Sequence, residues 1–305
     1  MSGIALVTGA YGFVGRHVAR AAAARGYRVI GIGHGSWGRE EWQSWGLADW
    51  HAADIDINTL STYAYGTVVV FHCAGSGSVP FSLAHPVRDY ERNVATTLAV
   101  LEFVRLHCPM AGIVVSSSAG VYGAASQMPI RTTDRLNPVS PYGMHKRIAE
   151  DLCRSYGRSF GVRSVNVRLF SIYGIGIRKQ LLWDACMKLS AGDNSFGGTG
   201  SETRDWLHVE DAGELMVLAG DHTTSAAPVI NGGTGIAVPI RDILDAIAAD
   251  LGCAERPRFS GNVRVGDPSH YQADISDAVS WGWAPKRNLR REIGRYVEWF
   301  RSDVP

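Results

Sequence analysis

The sequence predicts a doubly wound α/β fold, a parallel sheet covered by helices on both faces, with a smaller carboxyl-terminal lobe. Three observations carry this expectation. Short apolar runs alternate with longer helical patterns through the first half of the chain. The first run is followed at once by a glycine-spaced turn that opens a helix. After about residue 170 the texture changes: glycines thicken and the helical patterns shorten.

Taken in order, the strand-like runs are Ile4–Thr8, 28–32, 67–73, 112–117 and 164–170, and the helical patterns cover 14–25, 86–107 and 142–161. Runs such as Val68-Val69-Val70-Phe71 lack polar alternation, as strands buried on both faces do. Gly174, Gly176 and the Phe196–Gly200 stretch then mark the looser second part. A further strand-like piece at 228–231 precedes Gly232-Gly233-Thr234-Gly235, and Trp283-Ala284-Pro285 interrupts the chain before a last amphipathic helix at 289–301. The expected division is a first unit over 1–170, with a return segment near 205–235, and a second lobe drawn mainly from 171–305.

Composition narrows the function. The 305 residues carry 30 Lys and Arg against 29 Asp and Glu, a net charge of +1 that argues against a dedicated nucleic-acid binder. The five cysteines are scattered with no C-x-x-C spacing, so neither a metal cage nor a disulfide framework is expected, and a reducing, cytoplasmic setting fits. No run approaches 18 apolar residues and Ile4–Thr8 reads as a strand, not a leader, so no membrane association is expected.

Gly9-Ala10-Tyr11-Gly12-Phe13-Val14-Gly15 sits directly between the first strand and the first helix. Glycines at this spacing let the backbone turn tightly and approach a pyrophosphate held at the helix N-terminus, the arrangement of a Rossmann dinucleotide-binding domain. Gly9, Gly12 and Gly15 are therefore cofactor candidates, and residues 1–170 the dinucleotide-binding unit. A competing triplet, Gly33-His34-Gly35-Ser36-Trp37-Gly38, follows the second strand, where such a domain reads the ribose instead. An NAD site usually carries Asp or Glu there. Here the position is Gly33-His34, with Ser36 and Arg39 close behind and no carboxylate until Glu40. His34 and its neighbours suit a 2′-phosphate, as in NADP, and NAD binding through the rest of its surface is equally open. Asp54 and Ile55, after the next turn, are placed to meet the adenine. Trp37, Trp42, Trp45 and Trp50 crowd this region and read most simply as core.

Tyr142 and Lys146 lie four apart at the start of a helix and so share one face. A lysine there is expected to lower the phenol from its usual value near 10, which would let tyrosine act as a general base. With 11 tyrosines and four lysines in the chain, this spacing arises by chance about 0.14 times. Ser116-Ser117-Ser118 closes the preceding strand, where a hydroxyl can hold a substrate oxygen opposite the tyrosine.

With these motifs in hand, the sequence resembles the extended short-chain dehydrogenase/reductases, in the nucleotide-sugar epimerase/dehydratase branch. The resemblance runs from Val7-Thr8-Gly9 to Gly15, through His72-Cys73-Ala74-Gly75, Ser116–Gly123 and Tyr142–Lys146. It continues over Arg168–Gly174, Gly200–Val209 and Arg264–Asp267 to the terminal helix. It implies that Ser118, Tyr142 and Lys146 form a catalytic trio, and that Phe13, Val14, Ala74, Gly75, Asn93, Ser116 and Phe170 line the cofactor beside Tyr142 and Lys146. Arg204 and Arg264 would clamp a substrate diphosphate and Asp267 face a nucleotide ribose. Without the resemblance, Arg204 beside Asp205 reads as an ordinary ion pair. A homodimer through the helices at 86–107 and 142–161 is implied by resemblance only.

Several chemistries share this scaffold. A 4,6-dehydratase needs an acid and a base just after the serine, and those positions are Ala119 and Gly120. The Ser-Ser-Ser-Ala-Gly-Val-Tyr-Gly stretch looks most like the 4-epimerases of UDP-sugars, which implies bound NAD and a transient 4-keto sugar. The alternative is an NADP-dependent 4-ketoreductase of a deoxy-sugar nucleotide, favoured by Gly33 and by Ser171, which stands where many epimerases carry asparagine. A non-catalytic dinucleotide sensor is disfavoured by the retained Ser118, Tyr142 and Lys146.

Overall fold

The computed structural model describes residues 3–125, 127–262 and 269–303. Its strands are β1 (Ile4–Thr8), β2 (Arg28–Gly33), β3 (Leu47–Ala52), β4 (Thr67–His72), β5 (Gly112–Ser118), β6 (Arg163–Leu169), β7 (Ser171–Tyr173), β8 (Ser195–Phe196), β9 (Thr203–His208), β10 (Val229–Gly232), β11 (Ala237–Pro239) and β12 (Arg258–Phe259). Seven of them form one sheet in the order β3-β2-β1-β4-β5-β6-β10, and every pairing in it is parallel. The order reverses between β1 and β4, the topological switch at which doubly wound sheets bind ligands beyond the carboxyl ends of their strands.

Alternation along each strand sorts the core to the two faces. Ala5, Val7, Val69, Phe71 and Val114 join helices Phe13–Ala24 and Val209–Ala219 on one side. Leu6, Val70, Ile113 and Val115 join helices Thr96–His107 and Pro141–Phe160 on the other. The first pair of helices runs in close contact because position 213 is glycine: a Cβ there would lie 2.9 Å from the His17 carbonyl oxygen. Helix Pro141–Phe160 has firm ends. Ser140 caps it with a side-chain bond from Gly143 N, Pro141 opens it, and Gly161 closes it at φ 71°. Among the described residues no helix is long and apolar enough to cross a membrane, and all five cysteines are free thiols.

The chain leaves the sheet after β6 and re-enters it at β10, beside β6. Helices Gln180–Ser190, Ile240–Leu251 and Leu289–Asp303 share a separate apolar cluster. A small sheet, β11-β9-β7, stands between the two parts.

Some elements differ from expectation. The segment 86–107 is not one regular helix: Pro86–Tyr90 and Thr96–His107 are joined by a π turn, Glu91–Ala95. Leu47–Ala52 is an edge strand that its mixed sequence does not announce; pairing with β2 creates it. The second glycine triplet opens only a six-residue helix, Arg39–Ser44, and Gly35 packs on the Tyr11 ring, where any side chain would collide. Trp37 is buried, and Trp42, Trp45 and Trp50 pack partly buried against the same core.

Candidate active site

The glycine turn after β1 is built for close approach. Gly9 takes φ 69°, and a Cβ there would lie 2.7 Å from the Ala74 backbone nitrogen. A Cβ at Gly15 would collide with the Gly9 carbonyl oxygen. Gly12 caps helix Phe13–Ala24 with no side-chain hydrogen bond, so the first amides of that helix face outward without a side-chain partner. Phe13 and Val14 turn toward the protein interior, packing on the carboxyl-terminal cluster and on the sheet core respectively.

Ala74 and Gly75 follow β4 and are fixed from below. His72 bridges Thr8 Oγ1 at 2.8 Å and Thr97 Oγ1 at 3.1 Å. Ala74 N donates to the same Thr8 hydroxyl at 3.3 Å. Burial pulls the His72 imidazole down to about 3, with Lys146 adding to the effect, so it is a neutral bridge. Asn93 is buried on the π turn, its Oδ1 has no hydrogen-bond partner, and a Cβ at Gly75 would lie 2.6 Å from that oxygen. A glycine cradle, outward helix amides and an unpartnered buried carbonyl together fit a dinucleotide laid across the switch point.

At the far end of the cradle His34 and Asp54 meet, Nε2 to Oδ1 at 2.9 Å, both largely exposed. Ile55 packs into the opposite core. The second-strand end thus carries an imidazole held by a carboxylate that comes from beyond β3.

Ser118 ends β5, Tyr142 is the second residue of helix Pro141–Phe160, and Lys146 lies one turn on. Lys146 Nζ donates to Ser116 O at 2.9 Å and lies 5.9 Å from the Tyr142 ring centre. Ser118 Oγ accepts from Gly120 N at 3.0 Å and hydrogen-bonds the Tyr142 phenol. A Cβ on Gly120 would lie 3.4 Å from Ser118 Oγ and 3.5 Å from Tyr142 Cε1. The position at which a dehydratase needs an acid therefore fronts the Ser118 hydroxyl and the Tyr142 ring and is empty of side chain, while Ala119 is buried.

The electrostatics correct one expectation. Burial pushes the Tyr142 phenol up to about 12; the Ser118 hydrogen bond opposes this and Asp89 adds to it. Burial also draws the Lys146 ammonium down to about 8, against the raising effects of Cys73, Asp89 and Glu150. Lys146 is not among the groups that shift the phenol, and burial, which raises it, dominates.

Of the expected substrate contacts, Ser171 on β7 and Arg204 on β9 lie on neighbouring parallel strands. The ion pair expected between Arg204 and Asp205 does not describe Asp205. That carboxylate is fully buried and accepts from Thr234 N and Oγ1, Gly235 N and Ala273 N at 2.6–3.0 Å. Adjacent strand residues point to opposite faces, and Arg204 instead lies 6.0 Å from the Tyr271 ring centre. Tyr271, which the motifs did not mark, donates to the carbonyls of Ala119 and Gly123 and packs on Phe170 at 5.8 Å. Arg264 and Asp267 lie outside the described residues.

A second feature missed in sequence is a buried polar network behind the site. Arg168 forks onto Glu150 at 3.0 and 2.7 Å, and Ser117 Oγ donates to the same carboxylate at 2.6 Å. Arg168 also reaches the Tyr122 hydroxyl at 2.9 Å, which donates to Asn231 on β10 at 2.6 Å.

Comparison with known proteins decides the family. The sequence model of the NAD dependent epimerase/dehydratase family matches residues 5–233. The chain belongs to that family. Within it, the chain is 30% identical over 325 residues to the UDP-glucose 4-epimerase of Azospirillum brasilense, covering 97% of this chain and 92% of that one. The solved UDP-glucose 4-epimerase of Thermotoga maritima with UDP-glucose superposes with TM-score 0.88 at 26% identity, covering 99% and 100% of the two chains. A UDP-glucuronic acid 4-epimerase variant from Bacillus cereus, in complex with a 4-deoxy-4-fluoro substrate analogue and NAD, does so with TM-score 0.88, 26% identity and the same coverage. The family's Rossmann-like α/β architecture is that of the sheet described above.

Proposed function

We propose that the protein is a nucleotide-sugar 4-epimerase with NAD as its cofactor and a UDP-hexose as substrate. The observation that carries this reading is the meeting of Ser118, Tyr142 and Lys146 at the end of β5 with no acid at Ala119 or Gly120. NAD bound in the glycine cradle would supply the hydride acceptor and donor for the sugar C4 that inversion through a transient 4-keto sugar requires. Tyr142 takes the proton from the sugar O4 and gives it back. Ser118 orients that oxygen through its hydroxyl, and Lys146, anchored on Ser116 O, holds its ammonium beneath the phenol. A positive charge brought near the ring works against the burial that keeps the phenol protonated.

Gly9, Gly12, Gly15, Ala74, Gly75 and Asn93 would shape the dinucleotide cradle, with His34 and Asp54 at its adenosine end. Ser171 and Arg204, joined by Arg264 and Asp267, would hold the substrate nucleotide. In this reading residues 1–170 with a return near 205–235 form the cofactor unit, and the remainder closes over the substrate. A homodimer is part of the proposal: Val87, Tyr90, Leu98 and Leu106 on one helical segment and Met144 and Phe160 on the other are exposed apolar side chains that suit pairing of copies. So is a cytoplasmic location, consistent with five free thiols.

Mass spectrometry of ligand released from denatured protein should find NAD, and native protein should interconvert UDP-glucose and UDP-galactose, or their N-acetyl forms, without added reductant. Tyr142→Phe should lose about 10²-fold or more in rate while keeping the cofactor. Stoichiometric NADPH consumption by a 4-keto sugar, with no interconversion, would overturn the reading in favour of a reductase.

A further inference from the structure

The mechanism leaves one buried carboxylate–imidazole pair unused. Asp89, on helix Pro86–Tyr90, is fully buried, and its Oδ2 meets His145 Nδ1 at 2.7 Å. His145 stands immediately before Lys146 and one turn after Tyr142. Its imidazole is held on a second side by the Tyr90 ring, 5.6 Å away and edge-on at 82°. The other carboxylate oxygen, Asp89 Oδ1, has no hydrogen-bond partner. A carboxylate buried on a single hydrogen bond is costly to fold, and such groups gather where function demands them. The backbone around it is also irregular. Asp89 O accepts from Asn93 Nδ2 at 3.1 Å, and Asn93 sits on the π turn, a helix distortion frequent at functional sites.

We propose that Asp89 and His145 are a positioning pair for the reaction: the carboxylate fixes the imidazole, and with it the helical turn carrying Tyr142 and Lys146. The proposal rests on the reading of Tyr142 as the proton-transfer group.

The test uses holoenzyme with NAD. If Tyr142→Phe keeps full activity, the catalytic reading of Tyr142 fails; the positioning role is read separately, at His145. His145→Asn, whose amide can still donate to Asp89, should keep kcat within about threefold, while His145→Leu should lose about tenfold or more in kcat at little change in KM. Equal kcat in those two variants overturns the proposal.

Discussion

At the scale of single residues, the site is governed by desolvation more than by pairwise attraction. Tyr142 and Lys146 were visible because their spacing fits one helical face and lysine is rare in this chain. Their chemistry was not, because burial is invisible in sequence and it reverses the expected sign at the phenol. His72 makes the same point and yields a pH prediction. Its folded-state value near 3 lies below the ordinary 6.5, so the unfolded chain binds the proton more readily. Its contribution to stability is complete above pH 6.5 and is lost as pH falls toward 3. Between pH 7.5 and 5 this one residue should cost about 2 kcal/mol. Urea denaturation at the two pH values checks it: His72→Asn should show a flatter pH dependence than the wild type, and equal slopes would contradict the assignment.

At the scale of elements, what was legible followed periodicity. The strands β1 and β4 are nearly continuous apolar runs and β5 begins as one, and the helix after β5 carries end signals at Ser140, Pro141 and Gly161. What was not legible depends on partners distant in the chain. β3 exists because β2 pairs with it, although Asp49 and His51 break its apolar character. The π turn at Glu91–Ala95 has no local signal. Nor has the Arg168–Glu150 pair, which ties β6 to helix Pro141–Phe160 with both side chains essentially buried. Removing one member strands a buried charge, so Arg168→Met should cost about 3–5 kcal/mol. The Arg168→Met/Glu150→Leu double variant should recover much of that loss. Chemical denaturation distinguishes this from a weak surface pair, for which the single variant would be nearly silent.

At the scale of the whole molecule, one sheet delivers much of the candidate site to the carboxyl ends of its strands. The glycine turn follows β1, Ala74 and Gly75 follow β4, Ser118 ends β5 and Phe170 follows β6. That convergence was readable because a right-handed α/β winding leaves few alternatives. The pairing of β7 with β9, which sets Ser171 and Arg204 on neighbouring strands, was less so, as was Tyr271, which donates to the carbonyls of Ala119 and Gly123 that no motif marks. The near-neutral chain charge fits a protein whose anion contacts are local. In the proposed reaction C4 is inverted by removing and returning the same hydride within one site. UDP-glucose deuterated at C4, incubated with the protein as purified, tests this most directly. UDP-galactose that retains the deuterium at C4 is expected, whereas product carrying solvent hydrogen there, or no epimer at all, would contradict it.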